Sequence, residues 1–240
     1  MADRFYCPDR GVEGQVTLSG DEAHHLARVR RVGPGMVVEL FDGRGWASLA
    51  EVCLVERDRV ELALVGEPLP DRAAPVKLTL ATAVPKGDRF DWLVEKATEL
   101  GVARLVPVIT ERSVVDPRGA KLERLRRVVV EAAKQCGRNV LMDLERPVPW
   151  PDYLGNEPAP LRLLAHPGGL PSLDWPDIES GQAVALGIGP EGGFTESEVE
   201  AASASGWKAV CLGCTLLRVE TAGLAGAAAI FASVRGGTHE

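Results

Sequence analysis

Three glycines, Gly187, Gly189 and Gly192, stand in the spacing G-x-G-x-x-G within the segment GIGPEGG. An apolar run precedes them and a helix-like segment follows. In dinucleotide-binding proteins such a turn lets the backbone approach a pyrophosphate, which lies at the N-terminus of the next helix. The spacing raises the question of whether this turn holds a dinucleotide or another ligand that needs close backbone approach.

The residues around the glycines argue against a dinucleotide. Pro190 removes one N–H group, and Thr195 with Glu198 forms a capping box, so the helix starts only after the loop has ended. About 20 residues further on, where a ribose-binding carboxylate is expected, the sequence reads CLGC. Glu196 and Glu200 add negative charge to the first helical turns. A nicotinamide- or flavin-dependent oxidoreductase is an alternative, which a dinucleotide-induced increase in Tm would support.

Two other apolar runs end in similar small-residue loops. LLAHPGG (163–169), GIGPEGG (187–193) and CLGCTLLRVET (211–221) each contain a predicted strand end. If these strands are neighbours in a parallel sheet, their loops meet at its carboxyl edge, where open α/β sheets bind ligands. We predict a site there for a flat, uncharged or cationic molecule. Three ordinary strand-to-helix turns are the alternative.

The elements that must position these loops divide the chain into two parts. Residues 1–70 are predicted to form short strands, a short helix capped by Asp21 and a hairpin around Asp42-Gly43, which together make a small β domain. A proline-rich linker follows over residues 66–75. In residues 75–240 strands alternate with amphipathic helices, as expected for an α/β domain with a largely parallel sheet.

Composition limits the class of protein further. The chain has 240 residues, 45% apolar residues and a net charge of −7, and its longest low-charge run is too short to span a membrane. The negative charge argues mildly against nonspecific nucleic-acid binding. Basic clusters nevertheless occur over residues 24–31 and 118–138, where a solvated helix face is the alternative. We expect a cytoplasmic protein because no export signal is evident.

Five scattered cysteines fit a reduced, cytoplasmic protein better than a disulfide-bonded one. Cys211 and Cys214 form a C-x-x-C pair, but the two further ligands that a zinc site needs are absent at matching spacing. We therefore predict no metal site.

Several blocks of the sequence, taken in order, resemble one family. IGPEGGFTESEVE and LGCTLLRVETAG are similar to the C-terminal signature of the RsmE-type 16S rRNA uridine-N3 methyltransferases, which belong to the SPOUT class of S-adenosylmethionine-dependent enzymes. EAHHLARVRRVGPG and LFDGRG resemble the PUA-like β-barrel of that family. PKGDRFDWLVEKATELGV, ITERSVV and AAKQCGRN resemble its central blocks, so the resemblance spans the chain.

The resemblance implies a PUA-like, RNA-binding β-barrel over residues 1–70 and a trefoil-knotted SPOUT methyltransferase domain over 75–240, assembled as a homodimer. The expected reaction is N3-methylation of a specific uridine near the 3′ end of 16S rRNA in the small ribosomal subunit, with S-adenosylmethionine as cofactor. The cofactor-binding residues implied are Ala165, His166, Pro167, Gly187, Ile188, Gly189, Pro190, Glu191, Gly192, Leu212, Gly213, Leu216 and Leu217. The RNA-binding residues implied are Arg4, His24, His25, Arg28, Arg31, Arg112 and Arg138.

Arg218 and Glu220 are the catalytic residues that the resemblance implies. Uridine N3 carries a proton, so its methylation needs a base or a site that favours the deprotonated ring, whose charge spreads onto two carbonyl oxygens. Arg218 is suited to meet that charge, and Glu220, two residues away, is suited to accept the proton. Glu191 and His166 are alternative bases. A structural Glu220 that stabilises a helix N-terminus is a further alternative.

The third loop departs from the family pattern L-G-P-R-x-L-R-T-E-T-A. Cys214 and Thr215 stand where Pro-Arg is usual, and Val219 replaces the threonine between arginine and glutamate. One positive charge is lost, which leaves Arg218 as the only guanidinium of the loop. Two alternatives follow: a SPOUT methyltransferase that acts on another RNA such as tRNA, and a protein that binds S-adenosylmethionine or RNA without catalysis.

Overall fold

Two units make up the chain. The computed structural model describes residues 3–70, 74–115, 120–171 and 174–235. The first unit contains Met1–Ala73 and Val130–Leu141, and the second contains Ala74–Val129 and Met142–Glu240. The boundary between the units falls within one helix, Ala120–Cys136, which begins in the second unit and ends in the first. The division predicted from the sequence, 1–70 and 75–240, did not assign residues 130–141 to the first unit.

The first unit is built on a five-stranded sheet in the order β1-β3-β4-β5-β2. Its elements are β1 (Arg4–Tyr6), β2 (Gln15–Ser19), α1 (Gly20–His24), β3 (Val37–Phe41), β4 (Ala47–Val55) and β5 (Arg59–Val65). β1 pairs with β3 in parallel and the remaining pairs are antiparallel. Side chains of β2 alternate between exposed and buried, because one face of the sheet covers the core.

The short helix after β2 begins earlier than its sequence predicts. Its first residue is Gly20 and its N-cap is Ser19, so the predicted capping role of Asp21 is wrong. Asp21 lies in the first turn, where a carboxylate complements the helix dipole. The helix continues as a π-helical turn over His25–Val29.

The predicted hairpin around Asp42 is confirmed, and the Asp42 carboxylate closes it. Its Oδ1 accepts hydrogen bonds from the N–H groups of Arg44 (2.7 Å) and Trp46 (3.1 Å), and its Oδ2 accepts two from Arg10, from Nη2 (2.6 Å) and Nε (2.9 Å). Burial by itself raises the pKa of the Asp42 carboxyl, but these donors outweigh it and hold the pKa below its ordinary value.

Replacement of Asp42 with asparagine is expected to lower the free energy of unfolding by about 1–3 kcal/mol at neutral pH, because four donor N–H groups lose a charged acceptor. A carboxyl whose pKa is lower in the folded state stabilises the fold above its unfolded-state pKa, and that stabilisation is lost as the pH falls through the folded-state pKa. Urea denaturation at a series of pH values should show the two proteins converging in acid. A constant difference in stability would contradict this role.

The second unit is an α/β domain around a parallel sheet with the strand order β13-β10-β12-β6-β7-β8. Its elements are β6 (Lys77–Thr82), α2 (Arg89–Leu100), β7 (Arg104–Ile109), α3 (Ala120–Cys136), β8 (Asp143–Leu144), β9 (Val148–Pro149), α4 (Trp150–Asn156), β10 (Leu161–Leu170), β11 (Ile178–Glu179), β12 (Ala183–Ile188), α5 (Glu196–Ala204), β13 (Lys208–Val210), α6 (Val219–Ala232) and β14 (Val234–Arg235). β9 pairs with β7, and β11 pairs with β14. The predicted parallel α/β domain is confirmed.

Helix α6 packs closely on the sheet because it presents glycines there. A Cβ at Gly226 would lie 2.5 Å from Leu186 Cδ2, and one at Gly223 would lie 3.3 Å from Leu93 Cδ1 of α2. Helix α2 ends at Gly101, whose φ of 102° is the left-handed conformation common at helix C-termini. Within the ranges that the structure describes, no helix is long and apolar enough to cross a membrane.

Candidate active site

The strands β13, β10 and β12 are neighbours in the sheet, so the segments at their carboxyl ends meet at one edge, as predicted. The first segment, residues 163–169, does not follow β10 as the sequence suggests: it lies within that strand, where the pairing with β13 shifts register between Ala165 and Leu170. We refer to this irregular part of β10 as the first loop.

The three loops line an open cavity of about 670 Å³, a volume typical of small-molecule sites. Every residue for which cofactor contact was predicted lines the cavity except Gly187. A Cβ at Gly187 would instead lie 3.0 Å from Trp150 Cη2 and 3.1 Å from Leu164 Cδ1, so its small size serves packing.

The first loop is held close to β13 by Gly169. A Cβ at Gly169 would lie 2.3 Å from the backbone nitrogen of Val210. His166 lines the cavity, and its Nδ1 accepts a hydrogen bond from the N–H of Gly168 at 3.1 Å. The imidazole is therefore engaged in the turn that carries it.

Two arginines hold the second loop. Arg112 Nη1 donates to the carbonyl oxygen of Gly192 at 2.7 Å, and Arg89 Nη2 donates to Glu191 Oε1 at 3.3 Å. A Cβ at Gly192 would lie 3.2 Å from Arg112 Cδ, so glycine leaves room for the arginine stem. Adjacent loop residues are thus fixed by side chains from α2 and from the segment after β7.

The far end of the second loop is anchored in an aromatic cluster. Phe194 lines the cavity and packs on Trp150, with ring centroids 4.8 Å apart. Trp150 in turn contacts Trp207. The capping box that the sequence predicts is confirmed: Thr195 Oγ1 accepts from the N–H of Glu198, and Glu198 Oε2 accepts from the N–H of Thr195.

The third loop presents unpaired backbone groups and apolar side chains. Among the described residues, the N–H groups of residues 212–217 donate to no other group of the chain. Such donors need water or a ligand. Leu216 is 90% exposed and Leu217 is 36% exposed. The loop can therefore offer hydrogen bonds and an apolar surface to the same incoming molecule.

The predicted catalytic pair follows this loop but does not form the cavity wall. Arg218 is the exposed N-cap residue of α6, and Glu220 is buried in the first turn of that helix. Glu220 Oε1 lies 3.6 Å from Arg89 Nη1, while its Oε2 is buried without a hydrogen-bond partner in the described structure. Arg89 therefore bridges Glu220 and Glu191.

Sequence reasoning missed Arg89. It belongs to the block PKGDRF, which carries the family resemblance, but its partner Glu191 is 102 residues away in the chain. The block could have marked Arg89 as a functional residue, whereas its ion pair with Glu191 could not be predicted from the spacing of the two residues.

The predicted RNA-binding residues of the first unit fall into two groups. His24, Arg28 and Arg31 are exposed. Arg4 is enclosed: its guanidinium donates to Glu39 at 2.7 Å and to the carbonyl oxygens of residues 133 and 138, and it bonds to Asn139 Oδ1. This engagement argues against RNA contact by Arg4.

The remaining predicted RNA-binding residues are also engaged to differing degrees. His25 is half-buried, with its ring edge-on to Phe5 and its Nδ1 3.3 Å from Lys134 Nζ. Arg138 is half-buried. Arg112 is exposed and lies beside the cavity through its bond to the second loop.

All five cysteines are free thiols. In the part of the chain that the structure describes, no group of three or more His, Cys, Asp or Glu side chains is placed to hold a metal ion.

Comparison with known proteins gives matches over both units. Residues 72–231 match the RNA methyltransferase domain family, and residues 18–65 match the RNA methyltransferase PUA domain. The ribosomal RNA small subunit methyltransferase E of Synechocystis sp. is 32% identical over 225 residues, covering 90% of this chain and 72% of that protein.

Solved structures agree in fold over nearly the whole chain. A ribosomal RNA small subunit methyltransferase E from Neisseria gonorrhoeae, crystallised bound to S-adenosyl methionine, is 34% identical, has a TM-score of 0.88, and covers 96% of this chain and 97% of its own. A Legionella pneumophila protein in complex with the same cofactor is 31% identical, with a TM-score of 0.90 and 98% coverage of both chains.

A PUA domain followed by a parallel α/β domain with a three-loop cavity defines an RNA-modifying enzyme of the SPOUT type. The matched domain spans more than half of the sequence. The chain belongs to the RNA methyltransferase family.

Proposed function

We propose that this protein transfers a methyl group from S-adenosylmethionine to N3 of a specific uridine near the 3′ end of 16S rRNA in the small ribosomal subunit. The observation that carries the proposal is the three-loop cavity, in a fold that matches the cofactor-bound Neisseria gonorrhoeae enzyme over 96% of the chain. The 32% identity to the Synechocystis sp. enzyme supports the choice of the small ribosomal subunit.

The cavity suits S-adenosylmethionine by size and by chemistry. Its volume of about 670 Å³ is ample for a nucleoside with an amino-acid tail. The N–H groups of residues 212–217 are available to polar atoms of the nucleoside, and Leu212 and Leu217 provide apolar surface for the adenine ring. When bound, the cofactor supplies an electrophilic methyl group on a sulfonium. The protein must then position the RNA base and manage its proton.

Arg218 and Glu220 are the residues we propose for that task. The exposed guanidinium of Arg218 follows the cavity-lining Leu217, where it can meet negative charge on the uracil carbonyl oxygens. Glu220 Oε2 has a lone pair without a partner in the described structure, which makes it a candidate acceptor for the N3 proton. Arg89 holds the other carboxylate oxygen in place.

Replacement of Arg89 with alanine is expected to weaken S-adenosylmethionine binding at least about tenfold, because the second loop loses one of its two arginine contacts. The variant should also lose about 3 kcal/mol of stability at most, since Arg89 is one-third exposed and solvent screens part of its pairing with the buried Glu220. Calorimetric titration and thermal unfolding measure both effects.

Lys86→Ala is the matched control for Arg89→Ala. It removes an exposed charge three residues away but keeps the Lys86 carbonyl oxygen to which Arg89 Nε donates at 3.0 Å. Equal losses in the two variants would point to net charge rather than to the bridge.

The RNA is proposed to contact the exposed basic residues His24, Arg28 and Arg31 of the PUA domain, and Arg112 beside the cavity. A carboxyl-rich protein with a net charge of −7 needs such local clusters to approach phosphates. We propose no direct RNA contact for Arg4, His25 and Arg138, which are at least half-buried and would stabilise the fold beneath this surface. The trefoil knot, the homodimer and cytoplasmic location are further parts of the proposal, carried by the family resemblance; sedimentation equilibrium tests the dimer.

The deciding experiment is transfer of radiolabelled methyl to undermethylated small ribosomal subunits, free 16S rRNA and bulk tRNA in parallel, followed by nuclease mapping. Label at N3 of one uridine near the 3′ end of 16S rRNA supports the proposal. Label on tRNA alone would replace it with another SPOUT activity. Cofactor binding without label on any RNA would support a non-catalytic binding protein.

A further inference from the structure

Two thiols share the third loop. Cys211 is half-buried and Cys214 is exposed, and both contribute to the wall of the cavity. The three other cysteines are placed differently: burial raises the pKa of the Cys7 thiol to about 11, Cys53 is exposed on β4, and Cys136 is the half-buried last residue of α3. The cavity is therefore bordered by a C-x-x-C pair.

The Cys211 sulfur lies close to the peptide group that precedes Cys214. Cys211 Sγ lies 3.1 Å from the carbonyl oxygen of Gly213, and that carbonyl carbon is bonded to the nitrogen of Cys214. Standard peptide dimensions then place Cys211 Sγ within about 6 Å of Cys214 Cα.

The backbone of the third loop can change conformation to bring the two sulfur atoms together. Among the described residues, the N–H groups of residues 212–217 are not tied to the rest of the chain. Gly213, between the two cysteines, adds no side chain that would resist a change of backbone angles.

We propose that Cys211 and Cys214 form an oxidation-sensitive dithiol that closes to a disulfide with a peroxide as oxidant, and that the disulfide excludes the cofactor. The Cys214 thiol ionises, and its exposed thiolate attacks one peroxide oxygen; the O–O bond breaks to give a sulfenic acid and hydroxide, which takes up the proton released by the thiol and becomes water. The Cys211 thiolate then attacks the Cys214 sulfur and expels hydroxide, which takes up a proton. Two thiols are oxidised and one hydrogen peroxide is reduced to two waters.

A disulfide between Cys211 and Cys214 would change the shape of the cavity through the two residues that lie between them. Closure between residues 211 and 214 moves Leu212 and Gly213, and both line the cavity. The identity of the excluded ligand as S-adenosylmethionine rests on the proposed function; the formation of the disulfide does not.

The test treats the full-length protein with hydrogen peroxide, locates disulfides by mass spectrometry of unreduced peptides, and measures the Kd for S-adenosylmethionine by calorimetry before oxidation, after it, and after dithiothreitol. We expect a Cys211–Cys214 peptide that has lost two hydrogens, a Kd raised at least about tenfold, and recovery on reduction. Cys53→Ser should behave like the wild type, because Cys53 lies outside the second unit. Cys214→Ser, compared with its own untreated state, should keep its Kd after peroxide.

Each other result overturns a stated part of the proposal. Absence of the Cys211–Cys214 cross-link overturns the dithiol, and a cross-linked protein with unchanged Kd overturns the exclusion of the cofactor. A loss of binding in peroxide-treated Cys214→Ser would assign the effect to another oxidised residue. If the reduced wild-type protein fails to bind S-adenosylmethionine, the proposed function fails, while mass spectrometry still decides the dithiol.

Discussion

Replacement of Arg218 with alanine is expected to lower kcat by about 10²–10³-fold while the Kd for S-adenosylmethionine changes less than about threefold. In the proposed reaction the uracil ring must lose its N3 proton, and the resulting charge on two carbonyl oxygens needs a fixed cation nearby. Arg218 is exposed at the end of the third loop, directly after the cavity-lining Leu217, and it is the only arginine between residues 208 and 234. No other guanidinium of that segment can replace it.

The matched control is Thr215→Ala. Thr215 is exposed in the same loop and also lines the cavity, but it carries no charge. A general disturbance of the loop would lower activity in both variants and would raise the cofactor Kd, whereas loss of charge stabilisation affects kcat in the Arg218 variant alone. Arg218→Lys should recover part of the rate, because a charge remains without the planar guanidinium. A kcat near the wild-type value in Arg218→Ala would exclude the proposed role.

The location of the site could be predicted because it depends on local patterns. Apolar runs that end in Gly- and Pro-bearing loops mark strand ends, and a parallel sheet brings such ends to one edge. The strand order β13-β10-β12 then places the three loops together. Thr195 and Glu198 likewise interact over three residues, so their capping box was readable from the sequence.

The side-chain contacts that the sequence did not reveal join distant parts of the chain. Arg4 was predicted at an RNA surface, yet it binds carbonyl oxygens at the end of α3, 129 residues or more away. A helix C-terminus attracts a cation in this way. Gly187 was predicted to contact the cofactor because its spacing matched a ligand-binding turn, but it does not line the cavity. A Cβ built at Gly187 would instead face Trp150. Sequence spacing contains neither piece of information.

Gly169→Ala is expected to separate the first and third loops. The added Cβ would lie 2.3 Å from the nitrogen of Val210 and 2.5 Å from the carbonyl carbon of Ala209. These are backbone atoms of β13, which cannot rotate away as a side chain can, so the strand itself must shift. We expect a loss of about 1–3 kcal/mol in the free energy of unfolding and a cofactor Kd raised about tenfold or more, because Cys211 and Leu212 follow β13 directly.

The neighbouring Gly168→Ala variant isolates the cause. A Cβ at Gly168 would meet only the His166 ring, Nδ1 at 3.4 Å and Cε1 at 3.6 Å, which are ordinary contacts, and the N–H that donates to Nδ1 is retained in alanine. Its stability should lie within about 0.5 kcal/mol of the wild type. Urea denaturation and calorimetric titration of both variants compare the same chemical change one residue apart. Since the two glycines differ in what lies behind them rather than in exposure to the cavity, equal behaviour would show that close approach of β10 and β13 does not set the third loop.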